Sequence, residues 1–193
     1  MKKILGAGGA LLLSAIAAYL LISGVVVPLL ENYPRLENMM ARFQYSEETL
    51  IIFVTLAIWL FLLQWHYRTF SMIYIYLFYT VYLFFLFVML FTKAQTYHSF
   101  SLNPFDFLRP NILILKEAFL NVVYFVPLGA LYGLRARPLE FITIALLTIF
   151  GIETIQYVFF IGTFDMSDVL LNFIGCTCGY LFCGLFKRRM KLK

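Results

Sequence analysis

Six stretches of the chain are long, apolar and almost free of charged residues, and this pattern constrains the fold more than any other feature. They cover residues 4–30, 49–65, 69–92, 118–134, 141–161 and 169–186, and Glu153 is the one charged residue among them. A helix crosses the hydrocarbon core of a bilayer with about 20 apolar residues. Only 13% of the chain is charged, against about 25% in a soluble domain. A water-soluble enzyme or nucleic-acid-binding domain is therefore excluded.

The pattern predicts an all-α integral membrane protein built as a bundle of six transmembrane helices. The first stretch follows Lys2 and Lys3 as a secretory signal would, but its 27 uncharged residues exceed the about 7–15 residues of a signal core. We interpret it as a retained first helix, with cleavage as the alternative. The fourth helix is expected to be lengthened at its start by residues 111–117.

The placement of lysine and arginine predicts the orientation of the six spans. Ten of the fifteen basic residues fall at the N-terminus, in the second and fourth loops, and after the sixth span. Cytoplasmic segments carry an excess of Lys and Arg, so both termini are predicted to be cytoplasmic. The basic tail, residues 187–193, is explained by topology and by attraction to anionic lipids.

Two segments on the predicted outer side are more than short turns. Apolar residues at helical spacing between 36 and 43 alternate with charged ones, which predicts an amphipathic helix lying on the outer surface. The segment 93–110 is rich in aromatic residues and contains Asn103 and Arg109. We expect it to dip into the headgroups or to fold over the bundle.

Polar residues recur in pairs on the last three spans. Each pair lies three or four residues apart, which places its members on one helix face: Glu117 with Asn121, Glu153 with Gln156, and Asp168 with Asn172. A charged residue at the centre of a span costs about 2.5–3.5 kcal/mol on insertion scales. Because the spans alternate in direction, the pairs fall at matching depth in the outer half. They predict one shared polar pocket that opens outward.

Structural roles compete with this interpretation at several positions. Asp165 is placed to cap the sixth helix, with Asp168 near its third position, and Asn121 could join two helices by a hydrogen bond. The pairs Gly129/Gly133 and Gly175/Gly179 predict seams for close helix packing. Three cysteines share the last span at spacings that fit neither a disulfide framework nor a zinc site, so no metal or cofactor is expected.

The polar residues, taken in order, resemble the VanZ-like membrane protein family. The resemblance rests on residues 121–129 (Asn-Val-Val-Tyr-Phe-Val-Pro-Leu-Gly), on Glu153-x-x-Gln156, and on Asp165-x-x-Asp168-x-x-x-Asn172-x-x-Gly175, with Ser101-Leu-Asn103-Pro-Phe105 upstream. It divides the chain into an N-terminal three-span region (1–100), a VanZ-like three-span domain (101–186) and the tail. Where many members carry an arginine, Gly162 stands here. A charge partner for the acids is then either missing or supplied by Arg109 or Lys116.

The resemblance implies a multi-pass protein of the bacterial plasma membrane that is associated with resistance to glycopeptides such as teicoplanin. Combined with the acidic and amide residues, it favours a non-enzymatic protein that binds a membrane lipid, a lipoglycopeptide or a lipid-linked cell-wall intermediate. Two alternatives stay open. One is an intramembrane enzyme that uses Glu153 and Asp168 on a lipid, and the other is a small transporter. The sequence does not indicate an oligomeric state.

The predicted topology can be tested by cysteine accessibility. Single cysteines at Ser46 and Arg137 are introduced after the three native cysteines have been replaced by serine. We expect an impermeant thiol reagent to label Ser46→Cys from outside the cell and Arg137→Cys only after permeabilisation. The opposite labelling pattern would reverse the orientation.

Overall fold

The computed structural model describes residues 2–30, 38, 41–42, 44–92, 99–108, 110–189 and 191–192. The chain is almost entirely helical over these ranges. The helices are α1 (Lys2–Leu21), a π-helical turn (Ile22–Val26), α2 (Val27–Leu30), α3 (Ser46–His66), α4 (Met72–Thr92), α5 (Ile112–Gly133), α6 (Pro138–Val158) and α7 (Met166–Arg189), with a 3₁₀ turn at Asp106–Leu108. Four two-residue strands complete the structure: β1 (Thr69–Phe70), β2 (Phe100–Ser101), β3 (Phe164–Asp165) and β4 (Lys191–Leu192).

Each of the six apolar stretches contains a helix that covers most of its length, and the all-α membrane class is confirmed. Within the described ranges, five helices are long and apolar enough to cross a membrane, and the apolar helical segment Met72–Val88 is shorter. The predicted surface helix over 36–43 and the segment 93–98 fall largely or wholly outside the described residues.

The chain divides into two compact units. The first unit comprises Met1–Phe78 together with Met190–Lys193, and the second comprises Tyr79–Arg189. In the first unit α1 packs along α3, and the Tyr74 hydroxyl donates to the Ala57 carbonyl at 2.8 Å. Strands β1 and β4 pair in parallel. A π-helical turn interrupts the regular helix of the first span just before Pro28. Proline has no amide hydrogen to donate to the preceding turn, and its ring clashes with the carbonyl group there.

The second unit is organised by close packing of α5 against α7. A Cβ added at Gly129 would overlap the Cys176 carbonyl, and one added at Gly179 would overlap the Val126 carbonyl. A Cβ added at Gly175 would likewise overlap the Val122 carbonyl. The two predicted glycine seams therefore face each other, and the helix backbones touch where larger side chains would hold them apart.

The apolar core of this unit joins four helices. Its buried members come from α4, α5, α6 and α7: Leu86, Phe125, Leu128, Phe141, Ala145, Ile149, Val169 and Cys176. Phe141 also stacks on Tyr180 with ring centroids 4.2 Å apart. Pro127 lies inside α5, which continues through it to Gly133. The Tyr82 hydroxyl donates to the carbonyl of Tyr124, one turn before Pro127, at 2.7 Å. This hydrogen bond connects α4 to the part of α5 that contains the proline.

The fifth span ends earlier than its apolar stretch predicts. Helix α6 stops at Val158, whereas the stretch runs to residue 161. Phe160 adopts a positive φ of 55°, and the amides of Ile161 and Gly162 both turn back to the Gln156 carbonyl. These contacts reverse the chain and direct it into β3.

Replacing Gly179 tests the glycine contact. Gly179→Ala should lower the free energy of unfolding by about 1–3 kcal/mol, since the added methyl group meets a backbone carbonyl that cannot move independently. Gly184→Ala on the same helix is the matched control, because its added Cβ meets open space. Thermal unfolding of the purified protein in detergent measures both. Equal melting temperatures for the two variants would contradict the packing argument.

Candidate functional site

A hydrogen bond between α5 and α7 joins two of the predicted site residues. The Asn121 amide Nδ2 donates to the Asp168 carboxylate Oδ1 at 2.7 Å. Both side chains are short, and they meet because the glycine contacts hold the two helices close together. The predicted interhelical role of Asn121 and the predicted pairing of Asp168 are thus satisfied by one contact.

Two further polar side chains are deeply buried beside the core. Glu153 on α6 and Asn172 on α7 are each only 2% exposed. Among the described residues no donor reaches the Oδ1 atom of Asn172. A buried carbonyl oxygen without a donor costs free energy, so Asn172 offers an acceptor to whatever polar group enters this region.

Gln156 is buried one turn beyond Glu153 and is held by α4. Its amide Nε2 donates to the Leu90 carbonyl at 2.8 Å. Its side chain also lies against Gly162, where an added Cβ would stand 3.3 Å from Gln156 Cβ. The residue at 162 therefore adjoins the polar region, and a side chain larger than glycine would fit there only if Gln156 shifted.

Helical periodicity places three of these polar side chains on the same side of the apolar core, and together with Asp168 we call them the polar layer. Asn121 precedes the core residue Phe125 by one turn, Glu153 follows Ile149 by one turn, and Asn172 precedes Cys176 by one turn. Residues four apart lie on the same helix face. All three therefore lie on the side of the core where α5 and α7 begin and α6 ends, which we call the loop end. Convergence of all five predicted residues on one site stays a prediction.

Asp165 performs its predicted capping role. It immediately precedes α7, and its Oδ1 accepts a hydrogen bond from the Ser167 amide at 2.8 Å. Its backbone belongs to β3, which pairs in parallel with β2 so that Ser101 lies opposite Asp165. The cap and the strand pair bring the segment around Ser101 to the start of α7.

The remaining predicted residues are not joined to this layer by the contacts of the described chain. Asn103 is exposed and closes its own loop, where its Nδ2 donates to Asp106 Oδ1 at 2.9 Å and its Oδ1 accepts from the Phe105 amide. Glu117 is exposed on α5, as is Lys116. Arg109 lies outside the described residues.

Two further polar contacts shown by the structure were not predicted from the sequence. Ser101 donates its hydroxyl to Asp106 Oδ2 at 2.7 Å, which stabilises the loop together with Asn103. In the first unit, Ser23 donates to Glu47 Oε1 at 2.6 Å. Ser23 lies in the π-helical turn. The Asp106 contact had a signal, since a serine, an asparagine and an aspartate within six residues are typical of a turn.

The polar layer presents carboxylate groups, which accept hydrogen bonds, and amide groups, which both donate and accept them. Carboxylates and amide groups at the end of a helical bundle can bind hydroxyl, amide or ammonium groups. Within the described ranges, no three His, Cys, Asp or Glu side chains lie close enough to share a metal ion. Cys176 and Cys183 are buried, and Cys178 is exposed.

Long apolar helices with a buried polar layer at one end define a multi-pass helical membrane protein. The profile of the VanZ/LLP1 family matches residues 50–187, and the chain belongs to that family. The match begins in α3, earlier than the motifs from Ser101 onward indicated. Protein VanZ of Enterococcus faecium is 31% identical over 100 residues, which are 50% of this chain and 61% of that protein. The chain thus aligns with less than two thirds of that relative. No solved structure matches the chain.

A double-mutant cycle tests the contact between Asn121 and Asp168. Asn121→Ala and Asp168→Ala should each destabilise the protein, and the double variant should lose less than the sum. Interhelical hydrogen bonds in membranes couple by about 0.6–1.7 kcal/mol. Unfolding in detergent gives the four free energies. Glu117→Ala, one turn away on an exposed position, is the control and should change little. Strictly additive losses would show that the bond contributes nothing.

Proposed function

We propose that this protein binds a lipid-linked cell-wall intermediate or a lipoglycopeptide on the outer side of the bacterial plasma membrane. It thereby contributes to resistance against glycopeptides of the teicoplanin type. The proposed binding site is the polar layer at the loop end. The observation that carries the proposal is the burial of Glu153 and Asn172 on the same side of the core as the Asn121–Asp168 hydrogen bond.

Burial of these groups supports a binding role. A polar group in hydrocarbon costs free energy unless it finds a partner, and a charged residue within a span usually marks a functional site. Packing alone would be served by apolar residues at the positions of Glu153 and Asn172. Each offers hydrogen-bonding atoms next to the end of the bundle, where a ligand from outside arrives first.

The orientation of the chain is part of the same proposal. The excess of basic residues at the termini and in the second and fourth loops supports a cytoplasmic location for these segments. The loop end then faces outward, on the side where teicoplanin-type drugs meet lipid-linked precursors. Membership of the VanZ/LLP1 family and similarity to Protein VanZ support a role on this side of the membrane.

Binding at this site would protect the cell by competition. A ligand held at the loop end has its polar part at the membrane surface, where the drug would otherwise pair with its target. Asp168 and Asn172 recognise donor groups of the ligand, and Glu153, deeper in the layer, contributes a carboxyl group. Asn121 positions the Asp168 carboxylate by holding one of its two oxygens.

Direct binding measurements test the proposal. Purified protein in nanodiscs is titrated with teicoplanin and, separately, with a lipid-linked cell-wall precursor. We expect wild type to bind at least one of them and Glu153→Gln to bind about tenfold more weakly, which corresponds to about 1.4 kcal/mol for the lost charged hydrogen bond.

Glu140→Gln is the matched control for this substitution. Glu140 is an exposed acid at the opposite end of the same helix, where it accepts the Arg137 amide at 2.9 Å, and a glutamine there retains the acceptor. Its affinity should equal that of wild type. Absence of binding to both ligands by wild type would remove the proposal. A mass change in the recovered ligand would instead identify the protein as an enzyme.

A further inference from the structure

An apolar groove of about 330 Å³ lies between α6, α7 and the segment 99–108. All of its lining side chains are apolar, and they include Leu102 and Pro104 from the segment, Phe150 from α6, and Val169, Leu170 and Phe173 from α7. On α7 the lining extends from Met166 to Phe173, which corresponds to about 10 Å along the helix axis. The groove is therefore elongated along the helices and begins at the loop end.

The groove is preformed by contacts that do not involve an occupant. Val169 on its lining is buried in the core of the second unit. Phe150 stacks on Phe164 at 6.5 Å, and Phe164 stacks on Phe100 at 5.1 Å. Since Phe100 and Phe164 also belong to the paired strands β2 and β3, the segment that carries Leu102 is anchored next to α6 and α7.

The position of the groove indicates what fills it. Both α6 and α7 are long and apolar enough to cross the membrane, so a groove along them faces the hydrocarbon of the bilayer. Its lining offers no hydrogen-bonding side chain that would hold water or a polar ligand. At the loop end the groove adjoins polar groups, because its lining residues Leu102 and Pro104 flank Asn103. Asn103 is exposed and hydrogen-bonded to Asp106. The groove is thus apolar along the helices and is flanked by polar groups at the loop end, which is the pattern of an amphiphile with an apolar tail and a polar head.

We propose that this groove binds one acyl chain of a bilayer phospholipid, whose headgroup lies against the segment 99–108. The tails of the surrounding lipids are as apolar as the lining. Preferential binding of one lipid in the groove therefore comes from close packing of its acyl chain and from hydrogen bonds of its headgroup. The site goes beyond the proposed function and does not depend on it, because its lining contains none of the acidic and amide residues of the polar layer.

Photocrosslinking in nanodiscs tests this site. The probe is phosphatidylglycerol with a diazirine halfway along one acyl chain, added at trace level, and the cross-linked residues are identified by mass spectrometry. We expect cross-links at Phe150, Leu170 and Phe173 to exceed those at Leu147 and Leu181 about tenfold, the ratio that about 1.4 kcal/mol of preference gives. Leu147 and Leu181 lie on the same two helices and are more exposed, at 69% and 61%.

Two variants with matched controls complete the experiment. Leu170→Trp fills the groove and should lower cross-linking at Phe150 and Phe173 about tenfold, whereas Leu181→Trp should not. Leu102→Asp places a charge at the loop end of the groove without touching the core, and Leu108→Asp, on an equally exposed residue of the same segment, is its control. Leu102→Asp decides the question if Leu170→Trp does not elute as a folded species.

Cross-links spread evenly over the exposed faces of α6 and α7 would overturn the proposal, as would retention of the cross-links in both Leu170→Trp and Leu102→Asp. Binding of teicoplanin or of the lipid-linked precursor is measured separately with Glu153→Gln. A failure there would leave this inference intact.

Discussion

The contact between the backbones of α5 and α7 is the constraint on which the second unit depends. At Gly129 and Gly179 each helix approaches a backbone carbonyl of the other so closely that a Cβ atom would overlap it. In a bilayer, where apolar burial gives little driving force between helices, such close packing supplies much of the association energy.

The polar layer follows from that contact. Asn121 and Asp168 have short side chains, and a 2.7 Å hydrogen bond between them is possible only when their helices are close. The strand pair β2–β3 and the capping aspartate Asp165 then fix the start of α7 next to the segment that follows α4. The same packing that stabilises the bundle thus creates a polar end and, beside it, an apolar groove along α6 and α7.

These two features suit a protein that works at a membrane surface. We propose that the polar layer at the end of the bundle recognises the head of an amphiphile and that the groove holds an apolar chain. Membership of the VanZ/LLP1 family agrees with a role at the cell envelope. The two sites have separate linings, so occupancy of one can be measured while the other is altered.

The sequence by itself determined the membrane class, the six apolar stretches, the glycine seams and the capping role of Asp165, because each depends on composition or on spacing within one helix. Tertiary structure decided which partners the polar residues take. Gln156 binds the Leu90 carbonyl from a helix 66 residues away, Glu117 stays exposed although it shares a face with Asn121 in the sequence pattern, and Asn103 closes its own turn. Helical periodicity gives the face of a residue, but only the packing of several helices decides what that face meets. The groove along α6 and α7 had no sequence signal for the same reason.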